Sequence, residues 1–430
     1  MGKLNMNEMM TMGEYLTDHC SVSFEKALAA ERFPSWKRSC EAIDDVTFLL
    51  HGLRRGLSPV NSGRHYLQTT SETYDDTIHH SSYFNALKSP RRMEMVKAAE
   101  QQSYQLQNKI LSSLGINYLE QFPELDEYKV EAADGHFIQH AYHTDKNRLG
   151  KVYAAGFIYA LNLRNGLLRP LCVVTNGTER HQEIPALRAY IEQHQGEKDT
   201  CQKHIYVYDK AVTDFAWWDK QKSHRNFMIS MLKESSVATF VQSIPFDRKD
   251  EINTGIESYS VYQNKKAKFH VVEYRDPETD LLYKFITTLP KSINPGTIAI
   301  LYLKRWTIEK VFNNSKSDLA ERKAWSSNIK TLNNQMRFTA MAYNITRVFE
   351  EESKAKNPEL IHPSDKKYNK SLDKRQDIAR EKDCFVNPLL FYARIVRICS
   401  FTIRSIQNAL HSGGSIKAIS ASLVRHLKPG

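Results

Sequence analysis

The period of the hydrophobic positions changes near residue 126. Before that point apolar residues recur at helical spacing over Ser35–Leu53 and Met93–Leu114, which predicts helices there. The stretch Ser58–Ser82 between them is polar, rich in Ser, Thr and His, and carries no helix-turn-helix pattern. From Tyr128 the chain reads as strands. YKVEAADGHFIQHAY has period-two features, KVYAAGFIYALNLR and LLRPLCVVTN follow, and Asn165-Gly166 between these two marks a hairpin turn. EIPALRAYIEQH then predicts a helix, HIYVYD (204–209) a short buried strand, Phe215–Arg225 a helix and FMISMLK a fifth strand.

Three strands in succession, followed by alternating helices and strands, predict an α/β fold with a mixed sheet flanked by helices. The order is that of the RNase H-like fold, an analogy of fold alone. Residues 237–292 break the alternation with VATFVQSI, SYSVYQN, KAKFHVVEYRD and LLYKFITTL, an all-β insertion. Asn294-Pro295 supplies a cap and a first-turn proline for a helix over about Pro295–Ala320. A second long helix covers about Asn328–Glu352, a Lys-rich, flexible connector runs to about Asp383, and 385–410 is helical again. The expected division is a helical N-terminal region (1–125) suited to DNA-end binding, a catalytic domain (126–353) with the insertion, and a basic connector with a helical C-terminal region (354–430).

Composition adds less than charge does. Hydrophobic residues make up 41% of the 430 and charged residues 25%, the ordinary range for a chain with a core. No apolar run reaches the roughly 20 residues of a membrane helix. The N-terminus lacks the apolar stretch of a signal peptide. The six cysteines form no CxxC pair, so neither a zinc knuckle nor a disulfide framework is expected, and a reducing cytoplasm is. The net charge of +11 is uneven: residues 301–430 hold 24 Lys/Arg against 12 Asp/Glu, the remainder 36 against 37. A basic bias on that scale fits a nucleic-acid partner, with a merely soluble basic surface or an anionic membrane contact as alternatives.

The sharpest chemical pattern is LYLKRWTIEKVFNNSK (301–316). Tyr302, Arg305, Glu309 and Lys316 fall within about 60° of one another on a helix. Leu301, Ile308, Val311, Phe312 and Leu319 gather on an adjoining face that can be buried. A carboxylate among a phenol, a guanidinium and an ammonium suits a metal-bound phosphodiester. A solvated face with an Arg305–Glu309 ion pair is the structural alternative.

The spacing Y-x-x-R-x-x-x-E-x-x-x-x-x-x-K resembles the signature of bacterial insertion-sequence DDE transposases of the insertion-sequence-four type. Arg305, Trp306, Ile308, Glu309 and Phe312 also match the typical RW-x-IE-x-x-F. EAADGHFIQHAYH resembles the segment bearing the family's first catalytic Asp, here Asp134; YVYDKAVTDFAWW resembles that bearing the second, here Asp209. The likeness spans roughly residues 80–350, and the β-rich insertion belongs to it. Lys210 stands where relatives often have Arg.

The resemblance implies cut-and-paste DNA transposition: metal-dependent cleavage at transposon ends, then strand transfer by the freed 3′-OH. Asp134, Asp209 and Glu309 would be the catalytic and metal-holding residues, binding two Mg²⁺ ions for which Mn²⁺ substitutes. Tyr302, Arg305, Lys316 and Trp306 would contact DNA phosphates or an unpaired base. The partners would be double-stranded DNA (terminal inverted repeats and target) and a second copy of the chain when DNA is bound, in the bacterial cytoplasm at the nucleoid. An RNase H-like nuclease without strand transfer, and a domesticated DNA-binding protein without catalysis, are the alternatives. Asp134 beside Gly135 could also be a strand-end turn residue, and Asp209 an Asp before a loop. Asp214 and Asp219 compete with Asp209, which is preferred because it directly follows an apolar strand. His136 and His140 share a strand face with Asp134, where packing competes with a metal role. Trp217 and Trp218 read as core or interface.

Overall fold

The computed structural model describes residues 10–30, 43–58, 62–74, 78–138, 155–175, 183–193, 202–209, 214–233, 236–276, 279–357, 374, 377, 380–381 and 389–427. His140, Lys210 and most of the Lys-rich connector lie outside them.

Nine strands form one sheet. In chain order they are β1 (Tyr128–Ile138), β2 (Ala155–Asn162), β3 (Leu168–Thr175), β4 (Lys203–Val207), β5 (Asn226–Met231), β6 (Thr239–Ser243), β7 (Ile256–Asn264), β8 (Ala267–Arg275) and β9 (Leu282–Thr287). The spatial order is β3-β2-β1-β4-β5-β9-β8-β7-β6. β1, β4 and β5 run parallel; β2 and β3 join as an antiparallel meander on one side. This is an α/β, RNase H-like mixed sheet flanked by helices. The β2–β3 turn does contain Asn165-Gly166, with Gly166 at φ +75° and its N–H bonded to Asn162 O at 2.8 Å.

The β-rich segment 237–292 is not a separate sheet. β9 pairs antiparallel with β5, Ile229 opposite Thr287, so the segment extends the central sheet by four strands. Backbone hydrogen bonds along β5 supply the edge that sequence periodicity does not reveal.

Eleven helices are named here among the described residues: α1 (Met12–Ala30), α2 (Asp45–Leu57), α3 (Gly63–Tyr74), α4 (His80–Leu87), α5 (Pro90–Ser113), α6 (Glu183–Gln193), α7 (Phe215–Ser223), α8 (Pro295–Ser317), α9 (Ile329–Lys356), α10 (Leu389–Ser412) and α11 (Ile416–Leu427). The polar stretch after Ser58 thus holds α3 and part of α4. None of the described helices is long and apolar enough to cross a membrane.

Period-two alternation sorts the sheet's side chains between two cores. Ala133, Tyr206, Tyr208 and Met228 face α6 and α7, together with Trp218 and Leu187. Val130, Ala132, Ile205, Val207 and Ile229 face the larger core, which includes residues of α8, α9 and the N- and C-terminal helices. α8 crosses that face of the sheet, and α10 packs over α8.

Candidate active site

The alternation that buries Val130 and Ala132 carries Asp134 to the α8 face of β1. In the parallel neighbour, Ile205 and Val207 occupy that face, and Asp209 continues the series. The register pairs Ala132 with Val207. Continued by two residues, that register would bring Asp209 opposite Asp134. Asp134 lies inside β1. β4 ends at Val207, so Asp209 stands two residues past the strand, with its carbonyl accepting from Ser230 Oγ of β5 at 3.0 Å.

Glu309 arrives from α8. That helix starts where expected, with the Asn294 side chain accepting from Gly296 N and Pro295 in the first turn. It ends at Ser317, one turn sooner than the sequence suggests, and Asp318 follows as its C-cap. The Asp318 carboxylate pairs with Arg404 of α10 at 2.9 Å.

One guanidinium joins the carboxylates. Arg305 Nη1 is 3.5 Å from Asp134 Oδ2, and Arg305 Nη2 is 3.0 Å from Glu309 Oε1. The Arg305 side chain is almost fully buried, while that of Glu309 is 54% exposed. Burial works against the charge on Arg305. Tyr302, Asp134, Glu309 and Asp209 outweigh it and hold the guanidinium's pKa above its ordinary value. Tyr302, only 2% exposed, packs behind Arg305, which stands 5.5 Å over its ring, and against Phe285 at 4.7 Å. Burial pushes the Tyr302 phenol up to about 12, Arg305 opposes this, and Asp209 and Glu309 add to the rise. Lys316 is half-buried further along α8, and Trp306 is 38% exposed beside Arg305.

The apolar face expected for this helix is all buried: Leu301, Ile308, Val311, Phe312 and Leu319. The polar stripe divides along its length. Tyr302 and Arg305 are inside, Glu309 faces outward, and only the later part reaches solvent.

Residues 127–345 match the family model described as the transposase DDE domain, just over half of the chain. The chain belongs to the transposase DDE domain family. No curated protein matches it. DDE transposases act on DNA in transposition and use divalent metal ions.

The donor set of the DDE domain suits a hard divalent cation, since all three candidates are carboxylates. Among the described residues, however, no three His, Cys, Asp or Glu side chains are gathered closely enough to hold an ion as they stand. Arg305 bridges Asp134 and Glu309 instead.

The competing aspartates have other work. Asp214 caps α7, accepting from Trp217 N, and pairs with Arg188 at 3.0 Å; Asp219 pairs with Lys222 at 2.5 Å. Trp218 is fully buried, and Trp217 donates to Glu192 at 2.7 Å. His136 is buried behind Asp134, stacked on Phe312 with ring centroids 4.8 Å apart. Sequence reasoning missed its neighbours Glu321 and Tyr159. The one available signal was His136 itself, two residues from Asp134 on the same strand face.

Proposed function

We propose that the chain is a DNA transposase of the insertion-sequence-four type, which cleaves at the ends of its element and transfers the freed 3′-OH to target DNA. The observation that carries this reading is that the buried guanidinium of Arg305 pairs with Asp134 and Glu309 together, with the charge of Asp209 also acting on it. Three acidic groups of this kind suit a divalent cation, which could in turn hold phosphate oxygens.

Asp134, Asp209 and Glu309 would hold two Mg²⁺ ions, with Mn²⁺ as a substitute. When bound, such ions stabilise the attacking and leaving oxygens of an in-line displacement. Asp134 on β1 and Asp209 just past β4 would form one side of the site. Glu309, the exposed member, completes it from the helix. Arg305 balances the carboxylates before DNA arrives, and its fork of donors suits a phosphate once Glu309 has turned away. Tyr302 backs that guanidinium from below. Lys316 and Trp306 offer a charge and an indole to the DNA strand beside the site. The substrates would be terminal inverted repeats and target DNA, the working unit a homodimer on two ends, and the compartment the cytoplasm, where the nucleoid lies.

Strand transfer separates this reading from a nuclease that only cuts. A pre-cleaved element end with a free 3′-OH, incubated with the protein, plasmid DNA and Mg²⁺, should yield joined product. Cleavage of intact ends without any joining would make the chain a nuclease, and binding without either would make it a DNA-binding protein alone.

A further inference from the structure

Behind Asp134 lies a buried polar group that links the strand of Asp134 to the helix of Glu309. Glu321, in the segment between α8 and α9, is fully buried. One of its oxygens accepts from Tyr159 Oη, and the other lies 2.6 Å from His136 Nε2. Among the described residues, His136 Nδ1 has no hydrogen-bond partner. Tyr159 is the cross-strand partner of Asp134, and its hydroxyl oxygen also lies 3.2 Å from Met336 O of α9. His136 follows Asp134 by two residues and stacks on Phe312, one turn beyond Glu309 on α8.

Burying a carboxylate is costly unless it is paired, so a group like this is seldom retained where apolar packing would serve. Here the pairing spans β1, β2, α8 and α9, the elements that fix Asp134 and Glu309 relative to each other. We infer that Glu321, His136 and Tyr159 are positioning residues that set the separation between Asp134 and Glu309, and thereby the affinity of the site for its divalent cation. The inference rests on the proposed roles of Asp134 and Glu309. None of the three touches DNA or the ion. They act through the strand and the helix, as outer partners that orient the direct ligands of a metal.

The experiment uses the full chain and two conservative variants, Glu321→Gln and Tyr159→Phe, with Asp134→Asn as reference. Mn²⁺ binding is measured by calorimetry, without DNA, beside the Mn²⁺ dependence of end cleavage and the thermal midpoint. The expected result is at least about tenfold weaker Mn²⁺ binding in both variants, the range typical of lost outer partners. The Mn²⁺ requirement for cleavage should rise in parallel, and KM for DNA should stay unchanged. Wild-type Mn²⁺ affinity in both variants, with or without a lower thermal midpoint, would overturn the inference, provided Asp134→Asn abolishes binding and cleavage. If Asp134→Asn itself behaves as wild type, the active-site reading fails, and this inference fails with it. Should Glu321→Gln not fold, Tyr159→Phe, which loses one oxygen and keeps its ring, decides alone.

Discussion

Arg305 is the residue on which the charges of the site balance. Its helical spacing from Glu309 made their ion pair legible in the sequence, and that pair is present at 3.0 Å. The alternative of a merely solvated pair does not describe it, because Arg305 is buried and reaches Asp134 as well. Burial is what the sequence could not show at this scale. Lys304, next in the chain, points the other way, donates to Tyr118 O at 2.9 Å, and is pushed down to about 8 by burial. Between pH 8 and the ordinary lysine value of roughly 10.4, the unfolded chain binds more protons at this group than the folded chain does. Its contribution to stability therefore rises with pH across that window. Lys304→Met should remove that rise: the variant's thermal midpoint, measured from pH 8 to pH 10, should gain less than that of wild type. Equal pH slopes would contradict the assigned burial.

At the scale of elements, the strands of 128–231 were readable because alternation and turn chemistry agree there, as in the Asn165-Gly166 hairpin. The long helices after Asn294 were readable from caps and spacing. Other elements were not. α3 and α4 lie where composition looks like loop. For α9 the helix was readable but not its burial, which runs almost throughout although it carries Asn334, Gln335, Arg337, Asn344 and Arg347. Those polar groups find partners elsewhere in the fold: Asn344 bonds the backbone of Leu168, and Arg337 pairs with Glu100 of α5. A helix that buries polar and apolar side chains alike leaves little amphipathic trace. The start of α8 shows how closely elements meet near the site. A Cβ on Gly296 would come within 1.9 Å of Ile252 O in the turn before β7. Gly296→Ala should force α8 and the β-rich extension apart, costing about 1–3 kcal/mol. Chemical denaturation would register the loss, and an unchanged midpoint would show that this contact is looser than described.

For the whole molecule, the larger core draws on residues from Met12 to Leu423. α2 and α5 pack on α9, Gly52 and Gly56 of α2 meet Phe338 closely, and α10 covers α8. The N- and C-terminal helices thus bury surfaces of the helices that form one wall of the site. A fragment of 126–353 should consequently lack cooperative unfolding in calorimetry, whereas the full chain should show it; a sharp transition in the fragment would mean the catalytic region is self-sufficient. The sequence divided the chain by composition and period, which register local pattern and not shared burial. The same limit hid the Glu321 group, whose members are brought together only by the completed fold. The central claim concerns three carboxylates from distant parts of the chain acting as one metal-dependent site on DNA. It is tested most directly by Mg²⁺-dependent nicking of element-end DNA with wild type, Asp134→Asn, Asp209→Asn and Glu309→Gln side by side, DNA binding being measured in parallel. Each variant should bind the end and nick it at least about a hundredfold more slowly, the scale of losing one stabilising group at the reacting centre; nicking at the wild-type rate by any of the three would contradict the site.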